Sequence, residues 1–507
     1  MTQPIPETVN GLPNISGAEA QVAAATASRQ PVFLNETNLR LDKLEAVFAI
    51  ALHMHQPLIP AGGQDLRSAE IVSNLDYMMH NQGAGDNHNA TVFAECYARM
   101  GEIIPELVKE GRNPRVMLDY SGELLHGLRK MGRGDVLERL RGITCDPNLR
   151  KYVEWLGTMW GHSVASSTPL PDFKLHIHAW QQHFAAIYGW DALARVRGFS
   201  PPEMHLPNHP DAAYEFVKAL KECGYHWLLV QEHTVETLEG QGLRDKHVPY
   251  RLVARNSCGE EASIIALIKT QGSDTKLVAQ MQPFYEALTL KRRPLTLPSP
   301  QGGEGGVRGG ISIPPIVLQI GDGENGGVMM NEFPPCFRQT VGRFGTEGVV
   351  SANGTEYLEL IEQAGVTESS LKPIRPIHQG QVFKRITKWE PGAADKAIAQ
   401  LKQENSSFSL DGGSWTNNMS WVRGYENVLT PMNKLSAQFH ETLDGRVGRV
   451  GNSSHNVDTN SHAYRNTLFY LLVSQTSCFR YWGQGLWTDY AREICRRGSE
   501  VLAHDFR

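Results

Sequence analysis

Short apolar runs that end at acidic or imidazole side chains are the feature that most constrains the fold of this chain. One run, Val47–Leu52, is followed at once by His53 and His55. Two others come shortly before Glu203 and directly before the segment that contains Asp322. Each run is short enough to be a buried strand. Because charged groups at the carboxyl ends of parallel strands are typical of barrel proteins, the pattern predicts an α/β barrel with a functional site at that end.

Predicted helices lie between these strand-like runs. In the segment 211–223, for example, Ala212, Phe216 and Leu220 share one face, and Gly224 ends the helix. A repeated βα order implies a parallel sheet, and so many units imply a closed or nearly closed barrel. The predicted strands are 47–52, 115–120, 152–158, 197–199, 225–230 and 316–320, and the predicted helices are 90–109, 122–131, 173–188 and 211–223.

The texture changes after about residue 390, where only helices are predicted. These helices cover 393–404, 425–443, 464–479 and 488–503 and predict a helical bundle beside the barrel. The first residues are rich in Pro, Asn and Ala, which predicts a disordered lead-in. We therefore predict three parts, a disordered lead-in over 1–38, a barrel domain over 39–390 and a helical bundle domain over 391–507.

A Gly- and Pro-rich segment over residues 291–310 interrupts the barrel pattern. This composition does not form a core element, so we interpret it as a flexible insert in a surface loop that resembles a translated genomic repeat. A phosphate-binding glycine loop is the alternative interpretation. The Gly-Lys-Ser/Thr sequence that such a loop needs does not follow the glycines.

Composition narrows the class of protein. The 507 residues carry a net charge of -5 without a basic stripe, which argues against a nucleic-acid partner. The seven cysteines are odd in number and form no Cys-x-x-Cys pair, which argues against a disulfide framework or a zinc ribbon and favours a reducing compartment. No apolar run is long enough for a membrane helix, and the N-terminus does not read as a signal peptide. The sequence thus predicts a cytoplasmic protein without a membrane partner, and it leaves the oligomeric state unknown.

The imidazoles of His53 and His55 lie two residues apart at a strand end, so both face the same side. They are candidates for hydrogen bonding to sugar hydroxyls or for stabilising nearby carboxylates. Satisfied core histidines are a second interpretation. A metal site is a third, with His162, His205 or Asp322 as a further ligand, although none has a fixed metal-binding spacing to the pair.

Two carboxylates, Glu203 and Asp322, are the candidate catalytic groups. Glu203 follows Pro201 and Pro202, which form a rigid platform suited to a nucleophile, whereas a solvated loop glutamate is the alternative. Asp322 comes one glycine after a buried strand, where burial raises a carboxyl pKa toward that of a general acid. A turn or a helix cap is the alternative for Asp322. Two carboxylates on different strands suit glycosidic bond cleavage.

The order and context of these segments resemble glycoside hydrolase family 57. The resemblance rests on His-x-His-Gln-Pro at 53–57, on Gly-Phe-Ser-Pro-Pro-Glu at 198–203 and on Asp-Gly-Glu at 322–324, and it extends over about residues 45 to 330. It implies an incomplete (β/α)7 barrel followed by a helical domain, and retaining chemistry on α-glucans or maltooligosaccharides. It also implies that Glu203 is the nucleophile, that Asp322 is the general acid/base and that His55 lines the sugar subsite at the broken bond. Further substrate-binding candidates are His53, Gln56, Trp160, His162, Glu324 and Trp415.

Two departures from the family pattern are visible. Ser200 and Pro201 stand where the family usually has a tryptophan before the nucleophile. The segment 161–165 stands where the family carries Gly-x-x-Glu, and it contains no glutamate. The Trp-rich segment 413–421 is a candidate stacking platform from the helical side, with core packing as the alternative.

We therefore predict a retaining α-glucan hydrolase or transferase that needs no cofactor and no metal. The missing glutamate motivates one alternative, a catalytically silent glucan-binding protein on the same fold. The histidine and aspartate clusters motivate another, a metal-dependent carbohydrate deacetylase.

Overall fold

The computed structural model describes residues 3–270, 275–295, 311–343, 348–415, 420–444, 457–481 and 485–506. Within them, seven parallel strands close into a barrel in which each strand pairs with the next along the chain and the last pairs with the first. The (β/α)7 barrel is therefore confirmed, with one strand fewer than a (β/α)8 barrel. The strands are β1 (Leu44–Met54), β2 (Val116–Tyr120), β3 (Val153–Gly157), β4 (Gly198–Phe199), β5 (Trp227–Gln231), β6 (Glu261–Lys269) and β7 (Ile316–Asp322).

Helices and short accessory strands connect the barrel strands. The helices predicted between strands β1 and β5 are present within a few residues of their predicted bounds, except that the predicted helix 90–109 is two helices. Three further helices were not predicted, Asn74–His80, Gly134–Cys145 and Trp190–Leu193. The main helices before residue 390 are Glu19–Thr26, Asn74–His80, Ala90–Ala98, Met100–Lys109, Gly122–Lys130, Gly134–Cys145, Asp172–Tyr188, Trp190–Leu193, Pro210–Glu222, Thr275–Ala279, Gln282–Leu288, Gly326–Asn331, Phe333–Thr340, Gly354–Gln363 and Gln379–Phe383. Strands outside the barrel are Thr8–Val9, Leu12–Pro13, Leu58–Gly62, Glu70–Ser73, Val235–Thr237, Tyr250–Arg255, Arg293–Leu295, Ile311–Ile313, Gly348–Ser351 and Pro373–Pro376.

Strand β1 is buried within the barrel wall, because its apolar run Val47–Leu52 lies beside β7 on one side and beside β2 and the accessory strand Gly348–Ser351 on the other. Its register fixes the site. His53 pairs with Asp322 of β7 and with Asp119 of β2, so three polar side chains lie at one level of the barrel mouth. The predicted strand ends are thus brought together at the carboxyl end of the barrel.

Strand β6 was not among the predicted strands. It pairs in parallel with β5 and antiparallel with the accessory strand Tyr250–Arg255. Its continuous apolar stretch Ile264–Ile268 does not distinguish a buried strand from a buried helix. The pairing with β5, which is formed only in the folded barrel, decides the outcome.

The N-terminal segment differs from the disordered lead-in that its composition predicts. It contains the helix Glu19–Thr26, whose Val22 is buried, and Phe33 is buried as well. The carboxylate of Glu359 accepts hydrogen bonds from three successive backbone N–H groups at residues 32–34. Apolar side chains spaced within a polar segment therefore dock on the barrel, an interaction that average composition does not reveal.

The C-terminal region is helical, as predicted. Three of its helices pack together, Glu426–Leu443, His462–Val473 and Leu486–Asp505, whereas Ala393–Glu404 packs in a separate apolar cluster with Val382 and Phe408. A short helix, Cys478–Tyr481, follows the second of them. The domain boundary at residue 390 stays a prediction.

Two further predictions concern segments that the structure covers in part. Arg293–Leu295 and Ile311–Ile313, at the two ends of the predicted insert, pair as antiparallel strands, while residues 296–310 lie outside the described residues. Across the described ranges, no helix has both the length and the apolar character needed to cross a membrane.

Candidate active site

A cavity of about 910 Å³ opens at the carboxyl ends of the barrel strands. Carboxylates, imidazoles and aromatic rings line it, a combination suited to binding and cleaving a sugar chain. Of the nine residues predicted for the site, eight line this cavity: His53, His55, Gln56, His162, Glu203, Asp322, Glu324 and Trp415.

Glu203 is held in an unusual backbone conformation. Its φ is 59° and that of the next residue, Met204, is 50°, both in the left-handed region that non-glycine residues rarely adopt. The indole Nε1 of Trp415 donates a 2.8 Å hydrogen bond to Oε2 of Glu203, and the backbone N–H of Trp415 donates to its carbonyl at 3.2 Å. Strained backbone of this kind persists only where its surroundings fix it, as at active sites.

Asp322 ends strand β7, on the far side of the barrel from the β4 end that leads to Glu203. Burial raises the pKa of Asp322, and the nearby imidazole of His53 opposes this rise only in part. Glu324 lies two residues further on and accepts a 3.1 Å hydrogen bond from the backbone N–H of His55. Burial and the neighbouring Asp322 raise the pKa of Glu324 to about 8.

Three imidazoles connect the strand ends. Nδ1 of His53 lies 2.9 Å from Oδ2 of Asp119, and its Nε2 lies 2.9 Å from Nε2 of His162. Nδ1 of His162 lies 2.8 Å from the hydroxyl of Ser477. The His55 ring stacks on His162 with centroids 4.0 Å apart. Hydrogen bonds therefore run from Asp119 on β2 through two imidazoles to the C-terminal helical region.

Of these three imidazoles, one carries a positive charge at neutral pH. Burial alone would lower the pKa of His53, but the adjacent Asp119 carboxylate, together with Asp322 and Glu324, outweighs burial and raises it to about 9. Burial lowers the pKa values of His55 and His162 well below the ordinary value, and neighbouring imidazoles lower them further. At neutral pH, His53 is thus an imidazolium whose two N–H groups donate to Asp119 and to a neutral His162.

The C-terminal helical region completes the cavity. A turn at 474–477 joins the helix His462–Val473 to the short helix that follows, and its Ser477 backbone N–H donates to the carbonyl of His162 at 3.1 Å. The hydroxyl of Thr476 lies 3.2 Å from Nε2 of His55. Tyr481 and Trp487 of the same region add aromatic surface to the cavity lining.

Trp160 is the predicted site residue that lies elsewhere. Its side chain is fully buried beneath the site, where its Nε1 donates to Nδ1 of His183 at 3.2 Å and its ring packs on Gly122. Trp160 was predicted to contact a sugar, but its side chain instead packs under the site. A Cβ at Gly122 would lie 2.0 Å from the Trp160 ring, so this close packing requires glycine.

Two acidic residues at the end of β2 were missed by sequence reasoning. Asp119 is 1% exposed and binds His53, and its Oδ2 also accepts a 2.8 Å hydrogen bond from Ser200. Glu123 is fully buried 4.0 Å from Nε2 of His55, and burial raises its pKa well above the ordinary value. A carboxyl group from β2 thus lies beneath the cavity, although the segment 161–165 has none. An aspartate within the apolar run of β2 was the signal available in the sequence.

The ligand geometry does not favour the metal interpretation of the histidines. Among the residues that the structure describes, one set of three side chains has ligand atoms close enough to share a metal ion, and it consists of His209, Asp211 and Asp395. This set lies outside the cavity lining. The predicted third ligand His205 instead places its Nε2 2.9 Å from the carbonyl of Asp411.

The fold has relatives among solved structures. The exo-type maltose-forming amylase from Pyrococcus sp. ST04 superposes with a TM-score of 0.53 at 12% identity, over 91% of this chain and 81% of the amylase. This chain shares that fold. At this identity the likeness establishes the fold alone, and it agrees with the barrel and helical region that the family resemblance implies.

Two other similar structures are a branching enzyme and a glucanotransferase by their descriptions. The GH57-type branching enzyme from Pyrococcus horikoshii is 13% identical with a TM-score of 0.49, over 91% of this chain and 89% of that enzyme. The 4-alpha-glucanotransferase from Thermococcus litoralis is 16% identical with a TM-score of 0.49, over 90% of this chain but 59% of that enzyme. The chain therefore spans less than two thirds of the glucanotransferase. No protein-family model and no curated protein matches the sequence.

Proposed function

We propose that this chain is a glycoside hydrolase family 57-type enzyme that cleaves or transfers α-glucans with retention of anomeric configuration. The observation that carries the proposal is the meeting of Glu203 and Asp322, from far sides of the barrel, in one cavity lined by imidazoles and aromatic rings. Two carboxyl groups flanking a sugar-sized cavity suit acid-assisted cleavage of a glycosidic bond.

The surroundings of the two carboxyl groups support different roles. Burial raises the pKa of Glu203, but the His53 cation and hydrogen bonds from Trp415 and Ser477 favour its ionised form. For Asp322, His53 is the single group found to oppose burial among the described residues. The carboxylate with more supporting contacts, Glu203, suits the nucleophile, and Asp322, whose ionised form has fewer supporting contacts, suits the general acid.

In the proposed reaction, the Glu203 carboxylate attacks the anomeric carbon while Asp322 donates a proton to the departing glycosidic oxygen. The resulting glycosyl ester on Glu203 is then attacked by an acceptor hydroxyl, whose proton passes to Asp322. Water as the acceptor gives hydrolysis, whereas a sugar hydroxyl gives transfer or branching. No cofactor takes part.

The cytoplasmic location predicted from the sequence stays a prediction.

The test is an incubation of the wild type and Glu203→Gln with amylose, pullulan and maltooligosaccharides, with products resolved by size and linkage. We expect products from the wild type and a loss of at least about 10⁴-fold in the variant, the scale of a removed nucleophile. Glu215→Gln, at a glutamate 41% exposed on the helix Pro210–Glu222, is the matched control and should retain wild-type rates.

Two outcomes would contradict the proposal. Near-full activity of Glu203→Gln would exclude Glu203 as the nucleophile. Glucan binding without turnover by the wild type would instead support the catalytically silent binding protein. Proton NMR of the first-formed anomer reports retention directly, because an inverted product would rule out the glycosyl ester on Glu203.

A further inference from the structure

Asp119 lies beneath the cavity, where it touches both sides of the proposed reaction machinery. It is on β2, directly opposite His53 of β1 in the strand register, and its side chain is 1% exposed. Oδ2 of Asp119 lies 2.9 Å from Nδ1 of His53 and 2.8 Å from the hydroxyl of Ser200. Ser200 opens the Pro201–Glu203 segment, so a single carboxylate oxygen joins the imidazole and the nucleophile segment.

We propose that Asp119 is a positioning residue that holds His53 as a hydrogen-bonded cation beside the cavity carboxylates and thereby keeps Glu203 ionised. This inference rests on the proposed function. It goes beyond that function because Asp119 does not line the cavity and takes part through His53 alone.

The hydrogen-bond geometry around His53 supports the view that Asp119 stabilises the His53 cation. With His162 neutral and accepting from Nε2 of His53, the other His53 nitrogen donates to Asp119, so both N–H groups of an imidazolium have acceptors. A buried cation needs a buried counter-ion, and Asp119 is the carboxylate in direct contact with this ring. The titratable groups near His53 are Asp119, His55, His162, Glu203, Asp322 and Glu324.

Glu203 responds to His53 and is not directly bonded to Asp119. The His53 charge lowers the pKa of Glu203, which burial raises. Loss of the Asp119 charge therefore has two opposite consequences: loss of the His53 cation makes Glu203 harder to ionise, whereas simple removal of a nearby negative charge makes it easier. The sign of the change identifies the mechanism. The groups that face Glu203 are His53, His162, Asp322, Cys478, Arg480 and Tyr481.

The experiment compares the wild type with Asp119→Asn, which keeps the shape of the side chain and removes its charge. The titration of the Glu203 carboxyl is followed by ¹³C NMR with labelled glutamate, and its signal is assigned by its absence in Glu203→Gln. We expect the Glu203 titration to move upward by about 1 pH unit or more in Asp119→Asn, the usual scale for loss of a nearby opposite charge. The acid limb of the kcat/KM profile should move in the same direction.

Ser200→Ala is the matched control, because it removes the other hydrogen bond to the same oxygen and leaves the contact with His53. It should leave the Glu203 titration in place. His53→Gln should reproduce the upward movement, and adding Asp119→Asn to it should cause no further upward movement. Asp119→Ser, which also removes the carboxylate, keeps the test decisive if Asp119→Asn does not fold.

An unchanged or downward titration of Glu203 in Asp119→Asn would overturn the inference, whatever His53→Gln shows. The NMR measurement does not require turnover. An inactive wild type with an upward Glu203 titration in the variants would therefore reject the proposed function and retain the role of Asp119 on Glu203.

Discussion

Two groups of buried charged residues, at opposite ends of the barrel, differ in how their charges are paired. At the amino end, Arg115 and Glu356 are fully buried and joined by two hydrogen bonds of 2.8 and 2.9 Å. The side chain of Asn38 and the hydroxyl of Thr37 add bonds to this pair. At the carboxyl end, several buried carboxyl groups share a single charged imidazole, His53. The Arg115–Glu356 pair thus satisfies both of its charges, whereas the groups at the carboxyl end depend on one charged imidazole. This difference agrees with the division between stability and chemistry expected for a barrel.

After Glu203→Gln, Asp322→Asn should show the largest effect at the carboxyl end. Without a proton donor for the departing oxygen, we expect kcat/KM on maltooligosaccharides to fall by about 10²–10⁴-fold. A 4-nitrophenyl α-glycoside needs little protonation of its leaving group, so its loss should be much smaller. Equal losses on both substrates would assign Asp322 a role other than general acid.

Arg115→Met should show the opposite profile at the amino end. It leaves Glu356 buried without its partner, and we expect the free energy of unfolding to fall by about 3–5 kcal/mol, with the activity of the folded fraction retained. Denaturant titration measures the loss of unfolding free energy, and the activity per folded molecule shows whether activity is retained.

Two controls sharpen this result. The double variant Arg115→Met/Glu356→Leu removes both charges and should recover much of the stability. Arg40→Met breaks the exposed pair with Asp42 and should leave the unfolding transition in place. A selective loss of activity in Arg115→Met would contradict the proposed division between the two ends.

Glu324→Gln should show the smallest effect and tests the cost of a poised carboxyl group. Its folded-state pKa of about 8 lies above the ordinary value of 4.5, so the folded protein holds a proton that the unfolded chain releases. Stability therefore falls as the pH rises from about 4.5 to 8, and does so less in the variant. Thermal unfolding should show equal melting temperatures at pH 4 and a higher one for Glu324→Gln at pH 8. An equal difference at both pH values would contradict this linkage.

Local signals in the sequence located most of the barrel and most of the site. Apolar runs such as Val47–Leu52 specify strands because burial favours them wherever they pair, and the polar residues that follow must then lie at the barrel mouth. Seven of the nine predicted site residues line one cavity for this reason, and Trp415 reaches the same cavity from the C-terminal region. Trp160 follows the same rule of position, but its side chain turns beneath the site.

The tertiary structure decided what no local pattern contains. Asp119 lies within β2 and contacts His53, and Glu123 lies in the helix that follows, near His55. Thr476 contacts His55 and Ser477 contacts His162, although more than 300 residues separate the members of each pair in the chain. The charge of His53 likewise depends on contacts among strands that meet only in the closed barrel. Strand identity is a property of a few neighbouring residues, whereas burial, partners and ionisation are properties of the packed whole. The sequence therefore determined where the candidate site lies, and the tertiary structure decided how the groups of that site are charged and positioned.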